Sequence, residues 1–211
     1  VMNGFEKELR DKILGFTSHI TIHANSELST DKLISIIDSD KNIASYSFVS
    51  RNEELISSSS SKNIPIIIHN VSPEKENQTS DIGRMIIQGS FEFNGSNDLV
   101  IGNVLARELG VTSGDVIEIS NYNKLQKNNK FIISGIFDSG LYEYNQRFVY
   151  ASNLSLTNNS EYTYIKIKLF DPLRASLVSR NLFDKFGIIT SNWTETHNAL
   201  FQAISNEKLS L

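Results

Sequence analysis

The stretch TYIKIKLFDPLRASLVSRNLFDKFGIITSNW, residues 163–193, decides the fold class. Its opening, 163–170, alternates Ile with Lys, the period-2 pattern of a strand with one apolar face. Asp171-Pro172 then supplies a helix start, an Asp cap followed by a proline whose fixed φ suits the first turn. Leu173, Leu177, Leu182 and Phe183 are the apolar residues of that helix, Gly187 stops it, and residues 187–193 predict a second strand. The result is a strand–helix–strand unit.

The same order occurs near the other end. HITIHAN (19–25) alternates Ile20 and Ile22, Ser29-Thr30-Asp31 caps a helix carrying Leu33, Ile36 and Ile37, and ASYSFVS (44–50) sets Tyr46 and Phe48 on one face and Val49 on the other. Outside these units lie two amphipathic helices. Residues 1–16 place Phe5, Leu9, Ile13 and Phe16 on one stripe, with Gly15 suited to a C-cap, and 194–209 carry Leu200, Phe201, Ile204 and Leu209. Two βαβ units combine into a split ferredoxin-like α+β layer. That pairing predicts burial of Ile20, Ile22, Phe48, Ile165, Ile167 and Ile189, with the Lys166 and Lys168 side chains in solvent. Trp193, at a strand-to-helix junction, reads as a packing anchor.

The middle, 51–157, reads as a β-rich domain inserted into the α+β domain formed by 1–50 and 158–211. Its strand candidates are EELISSS, NIPIIIHNV, MIIQGSFEF, DLVIG, DVIEISN, NKFIISGIF and QRFVYAS, interrupted by one clear helix, NVLARELG (103–110). The polar run Ser72–Ser80 reads as an exposed loop and Ser57–Ser61 as an edge or loop.

The chain has 211 residues, a mass of 23.7 kDa and a formal charge of −4. That length buries a core without staples, and the absence of cysteine removes disulfides, thiolate nucleophiles and Cys-ligated metals. No basic stripe is present, so nucleic acid is not an expected partner. No apolar run approaches the ~18 residues of a membrane span. The opening Val1-Met2-Asn3 runs straight into a helix and reads as a piece of a longer protein.

Chemistry-bearing motifs are sparse. Asp38-Ser39-Asp40-Lys41-Asn42 begins like a calcium loop, but Ile43 and Val49 stand where that loop needs Gly and Glu, so it reads as a polar helix end. His19 and His23 lie four apart on a strand, a spacing that keeps them from sharing a ligand. No nucleophile elbow or phosphate loop occurs. The residues predict a binding or mechanical module without a cofactor, not an enzyme. The turn near 121–130 carries Tyr122, Lys124, Leu125, Lys127 and Lys130. It reads equally as a partner contact, an aromatic–aliphatic pair beside steering cations, or as a solvated β-turn.

Four blocks in order carry a family resemblance: VMNGFEKELRDKILGFTSHITI (1–22), LVIGNVLARELGVTSGDVIEI (99–119), FIISGIFDSGLYEYNQRFVYAS (131–152) and SNWTETHNALFQAISNEK (191–208). Together they resemble the extracytoplasmic domain of the lipoprotein-releasing ABC transporter permeases, the LolC/LolE family, whose core domain is MacB-like. The resemblance implies a porter-like subdomain with an inserted β-rich Sabre subdomain, set between two membrane helices of an inner-membrane protein and facing the periplasm. The terminal helices would then be membrane-proximal stalks, with Met2, Phe5, Leu9, Phe201 and Ile204 on them. It also implies a cytoplasmic ATPase subunit, a second permease subunit or homodimer, lipoprotein cargo and a LolA-like periplasmic carrier. The stretch ISNYNKLQKNNKFIIS (119–134) is shorter than the carrier-binding hook of LolC-type members and lacks its proline. A reduced carrier contact, a LolE-like member and an undivided type are all consistent with it. A permease domain of the MacB or FtsX kind, driving an export duct or a cell-wall hydrolase, is the second expectation, and a stand-alone enzyme or ligand binder the third.

Overall fold

A computed structural model describes residues 4–24, 28–58, 63–95, 97–120, 129–152, 162–198 and 202. The alternating strands from the two ends pair as their apolar faces require. β1 (Ile20–His23) lies antiparallel to β9 (Tyr164–Leu169), with Ile20 opposite Ile167 and Ile22 opposite Ile165. β9 pairs on its other side with β2 (Ile43–Ser57), and β1 pairs outward with β10 (Thr190–Asn192), all antiparallel. The order β10-β1-β9-β2 is that of a ferredoxin-like sheet.

Two helices cover one face of that sheet. α2 (Thr30–Ser39) starts at Ser29, whose Oγ accepts from the Lys32 N–H at 3.4 Å, and buries Leu33, Ile36 and Ile37. Asp40 ends it by accepting from the Asn42 backbone and side chain, a turn in place of an ion loop. α6 (Ala175–Phe186) follows a 3₁₀ turn, Pro172–Arg174, in which Asp171 Oδ1 accepts from the Leu173 N–H. Trp193 is 1% exposed in this core and donates from Nε1 to the Pro172 carbonyl at 2.7 Å, the anchoring role its position suggested.

β2 does not stop at the end of this sheet. Its fifteen residues reach ~50 Å, pairing β9 up to Val49 and then β3 (Ile64–Val71) from Val49 to Ile56. From there the order runs β3, β8 (Phe148–Ser152), β5 (Asp98–Gly102), β7 (Asn129–Phe137) and β6 (Val116–Ser120), and β6 returns to β2. The ring is a closed barrel, so these strands expose no edge to a neighbouring sheet. Its interior holds Ile56, Ile66, Leu99, Ile101, Ile117 and Ile133, with α4 (Asn103–Leu109) contributing Leu105 and Leu109. β4 (Ile86–Gly89) adds to β7 outside the ring. α1 (Gly4–Phe16) joins the two parts: Phe16 stacks on Phe137 and Tyr144 at 5.8 and 5.2 Å, on the barrel's outer wall.

Several expectations are corrected. Gly15 is not a cap but lies within α1, where the Asp81 N–H donates to its carbonyl at 2.8 Å and a Cβ would meet Asp81 Oδ2 at 2.6 Å. Ser72–Ser80 contains a helix, α3 (Pro73–Thr79), with Glu76 and Thr79 buried. A further helix, α5 (Tyr142–Arg147), takes the start of the QRFVYAS segment, and MIIQGSFEF is strand only over β4. The strand expected at 187–193 is shorter: Gly187, at φ 69, turns the chain so that Ile188 fills the core, leaving Ile189 71% exposed. A one-residue step moves a side chain to the other face. Leu177 and Phe183 are also exposed, because α6 contacts the sheet through Ala175, Val178 and Leu182. Phe48 is half-buried.

Candidate functional site

The ferredoxin-like sheet's second face is polar because β1 and β9 alternate. With Ile20, Ile22, Ile165 and Ile167 turned toward the helices, Thr21, His23, Tyr164 and Lys166 turn the other way. In register, Thr21, Lys166 and Ser47 form one row, and His23, Tyr164 and Val49 the next.

α3 closes over part of this face. Lys166, expected in solvent, is 6% exposed and its Nζ lies 2.5 Å from Oε1 of Glu76, which is fully buried. Ser80 Oγ donates to the same carboxylate oxygen at 2.9 Å. Among the described residues, Oε2 of Glu76 and Oγ of Ser47 are buried and find no hydrogen-bond partner. Lys168 is half-buried and reaches Asp81 at 3.5 Å. Ser45 Oγ adds a hydrogen bond to the Gln78 carbonyl. The segment Pro73–Met85 thus straps the barrel to the sheet.

Beside the strap the face opens into a cleft of about 400 Å³. Phe16, Tyr144 and Phe148 form its aromatic wall, His69, Tyr164 and Lys166 its inner surface, and Thr21, His23, Arg51 and Ser191 line it from the strands. His69 sits opposite Arg51 in the β2–β3 register and against the rings of Phe148 and Tyr150 at 4.5 and 5.5 Å. Burial, reinforced by the Lys166 and Arg51 charges, lowers its pKa to about 3. Burial likewise pushes the Tyr164 phenol up, and the nearby Glu76 charge adds to this. Both groups are neutral near pH 7.

The other histidines take separate partners. His19 Nε2 donates to the Leu14 carbonyl at 3.1 Å and Nδ1 accepts from the Leu169 N–H at 2.9 Å, which fixes its tautomer and ties α1 to β9. Burial lowers its pKa as well. His23 Nε2 lies 3.2 Å from Ser191 Oγ at the cleft.

Of the residues singled out from sequence, Tyr122, Lys124, Leu125 and Lys127 lie outside the described residues, as do Met2, Phe201 and Ile204. Phe5 and Leu9 belong to α1. Lys130 is exposed on β7, opposite Glu118 of β6, at the base of the hairpin. Two rungs further along the same ladder, the opposed pair Val116 and Ile132 is 55% and 47% exposed. Glu76, Lys166, His69 and Arg51 were missed. The alternation of β9 marked Lys166 as facing away from the Ile residues, but only the position of α3 makes that a buried place.

A ferredoxin-like sheet joined to a β-barrel insertion is a fold this chain shares with two solved extracytoplasmic domains. The chain superposes on the periplasmic region of MacB from Actinobacillus actinomycetemcomitans with a TM-score of 0.54 at 12% identity, covering 95% of this chain and 98% of that one. The extracellular domain of the noncanonic ABC-type transporter YknZ from Gram-positive bacteria gives 0.53 at 12% identity, over 83% and 99%. In sequence the chain is similar to the lipoprotein-releasing system transmembrane protein LolC of Xylella fastidiosa, at 23% identity over 99% of this chain. LolC of Neisseria meningitidis serogroup B is similar to the same degree. The chain spans 54% of the length of these curated relatives. No family model matches the sequence. Among the described residues, no helix is long and apolar enough to cross a membrane.

Proposed function

We propose that this chain is the periplasmic domain of an inner-membrane ABC transporter permease subunit that releases lipoproteins from the membrane and hands them to a periplasmic carrier. The observation that carries the reading is the similarity to LolC across 99% of the chain, which takes in the stretches before, within and after the inserted barrel. Its part is mechanical and non-catalytic, with ATP hydrolysed by a separate cytoplasmic subunit. α1 is placed for that part: Phe16 packs on the barrel while the carbonyl of Leu14 is held by His19, whose other ring nitrogen accepts from the Leu169 N–H of β9. A displacement of α1 would therefore move both parts together. The MacB-like fold supports a second reading, mechanotransmission to an export duct or a cell-wall hydrolase, because fold alone does not fix function.

Photo-crosslinking in cells from Tyr122 and Leu125 of the full-length permease separates the two. The first reading predicts crosslinks to a LolA-like carrier. No carrier crosslink, together with normal lipoprotein transport after both residues are replaced by Ser, would remove the hairpin from the mechanism. Crosslinks to a duct protein or hydrolase would favour the second reading.

A further inference from the structure

The cleft between the ferredoxin-like sheet and the barrel carries chemistry that mechanical coupling does not use. Its charged lining residues are Arg51 and Lys166, joined by the imidazoles of His23 and His69, and among the described residues no carboxylate lines it. The carboxylates that meet these cations approach from elsewhere: Glu76 holds Lys166 from α3, and Glu53 reaches Arg51 Nη2 at 3.0 Å in an exposed pair. An exposed pair of that kind contributes little and yields readily to a competing anion. Arg51 thus presents a planar guanidinium suited to a carboxylate's two oxygens.

His69 is the second, independent observation. It is 7% exposed and lines the cleft, yet its ring nitrogens find no hydrogen-bond partner among the described residues, and its contacts are with aromatic rings. A neutral imidazole carries one N–H donor, and at the cleft surface that donor is available to a ligand acceptor. Phe16, Tyr144 and Phe148 line the same space. At about 400 Å³ the cleft falls within the ~300–1,000 Å³ range of small-molecule sites.

We propose that this cleft binds small amphiphilic carboxylates, with Arg51 and His69 engaging the carboxylate and the aromatic wall packing the apolar body. Lys166 is already neutralised by Glu76, so the Arg51 guanidinium, met only by the exposed Glu53, selects the sign of the charge, and the rings select against a bare ion. The site does not depend on which cargo the transporter moves.

The test is titration of the full chain with octanoate and benzoate, followed by the imidazole NMR signals of His69 and by calorimetry. Benzyl alcohol serves as the neutral analogue and acetate as the anion without a body. At least one of octanoate and benzoate should shift His69 saturably with a Kd of about 1 mM or tighter. Acetate and benzyl alcohol should bind at least tenfold more weakly. Tighter octanoate points to an acyl-chain ligand and tighter benzoate to an aromatic one. Arg51→Gln, a change at a half-exposed side chain, should weaken binding at least tenfold with the melting temperature retained, and His69→Phe, which keeps a ring in place, should do the same. No saturable shift of His69, equal binding of benzyl alcohol, or unchanged affinity in Arg51→Gln would overturn the proposal.

Discussion

Lys166 and Glu76 stand 90 positions apart in the chain and meet at 2.5 Å in a place nearly closed to water. Lys166 belongs to a strand of the ferredoxin-like sheet and Glu76 to a helix that follows the first barrel strands. The pair is therefore a tie between the two parts, and its strength depends on both charges being present. Lys166→Met leaves the Glu76 carboxylate buried without its cation and should destabilise the fold by ~3–5 kcal/mol. The double variant Lys166→Met with Glu76→Leu removes both charges and should recover most of that loss. Urea unfolding of the single and double variants measures it. Equal stability of Lys166→Met and the native chain would show that the pair is not a buried tie.

His69 gives the fold an acid-sensitive component. The unfolded chain binds a proton there near the ordinary value of 6.5, while the folded chain holds it off until about pH 3. Between these values the unfolded state carries more bound proton, so stability falls as the pH drops through that window, by up to ~1.4 kcal/mol per pH unit. The buried His19 acts in the same direction. Comparing urea unfolding at pH 7 and pH 5, His69→Phe should lose less stability than the native chain. Identical pH slopes would contradict the placement of His69.

Gly102 ends β5 where the backbone of Asn145 in α5 crosses it, and a Cβ there would overlap the Asn145 carbonyl group. Neither backbone can give way without moving a barrel strand. Gly102→Ala should destabilise by ~3 kcal/mol or more, above the usual cost of an added methyl in a core. Thermal unfolding followed by circular dichroism reads this directly, and a shift within error of zero would mean the crossing is looser than described.

Ile188 and Ile189 are adjacent and chemically identical, yet one is fully buried and the other 71% exposed. Ile188→Ala should cost ~2–4 kcal/mol and Ile189→Ala within ~0.5 kcal/mol. The reverse ranking would mean that β10 is out of register by one residue. That register was not legible in GIITSNW, because two isoleucines after a glycine allow either one to face the core. The strand pairing itself was legible, since the Ile–Lys alternation of 163–170 and the Ile20 and Ile22 spacing each permit one apolar face. α3 was hidden for a different reason. PEKENQT has no apolar stripe, and its burial comes from an ion pair with a residue ninety positions away, which hydropathy does not register. The cleft was hidden likewise, being assembled from α1, α5 and strands β1, β2, β3, β8, β9 and β10 only when the chain folds.

The most direct measurement of the central claim is ATP-dependent release of a lipidated protein. The proposed full-length permease, as a homodimer or with a second permease subunit, and with a cytoplasmic ATPase, would be placed in proteoliposomes beside a labelled lipoprotein and a LolA-like carrier. The account predicts that ATP moves the label from the vesicle fraction into a soluble complex with the carrier. It further predicts that Lys166→Met, which loosens the tie between sheet and barrel, lowers the rate of release at a temperature where the domain remains folded. ATP hydrolysis at a normal rate with all of the lipoprotein left in the vesicles would contradict it.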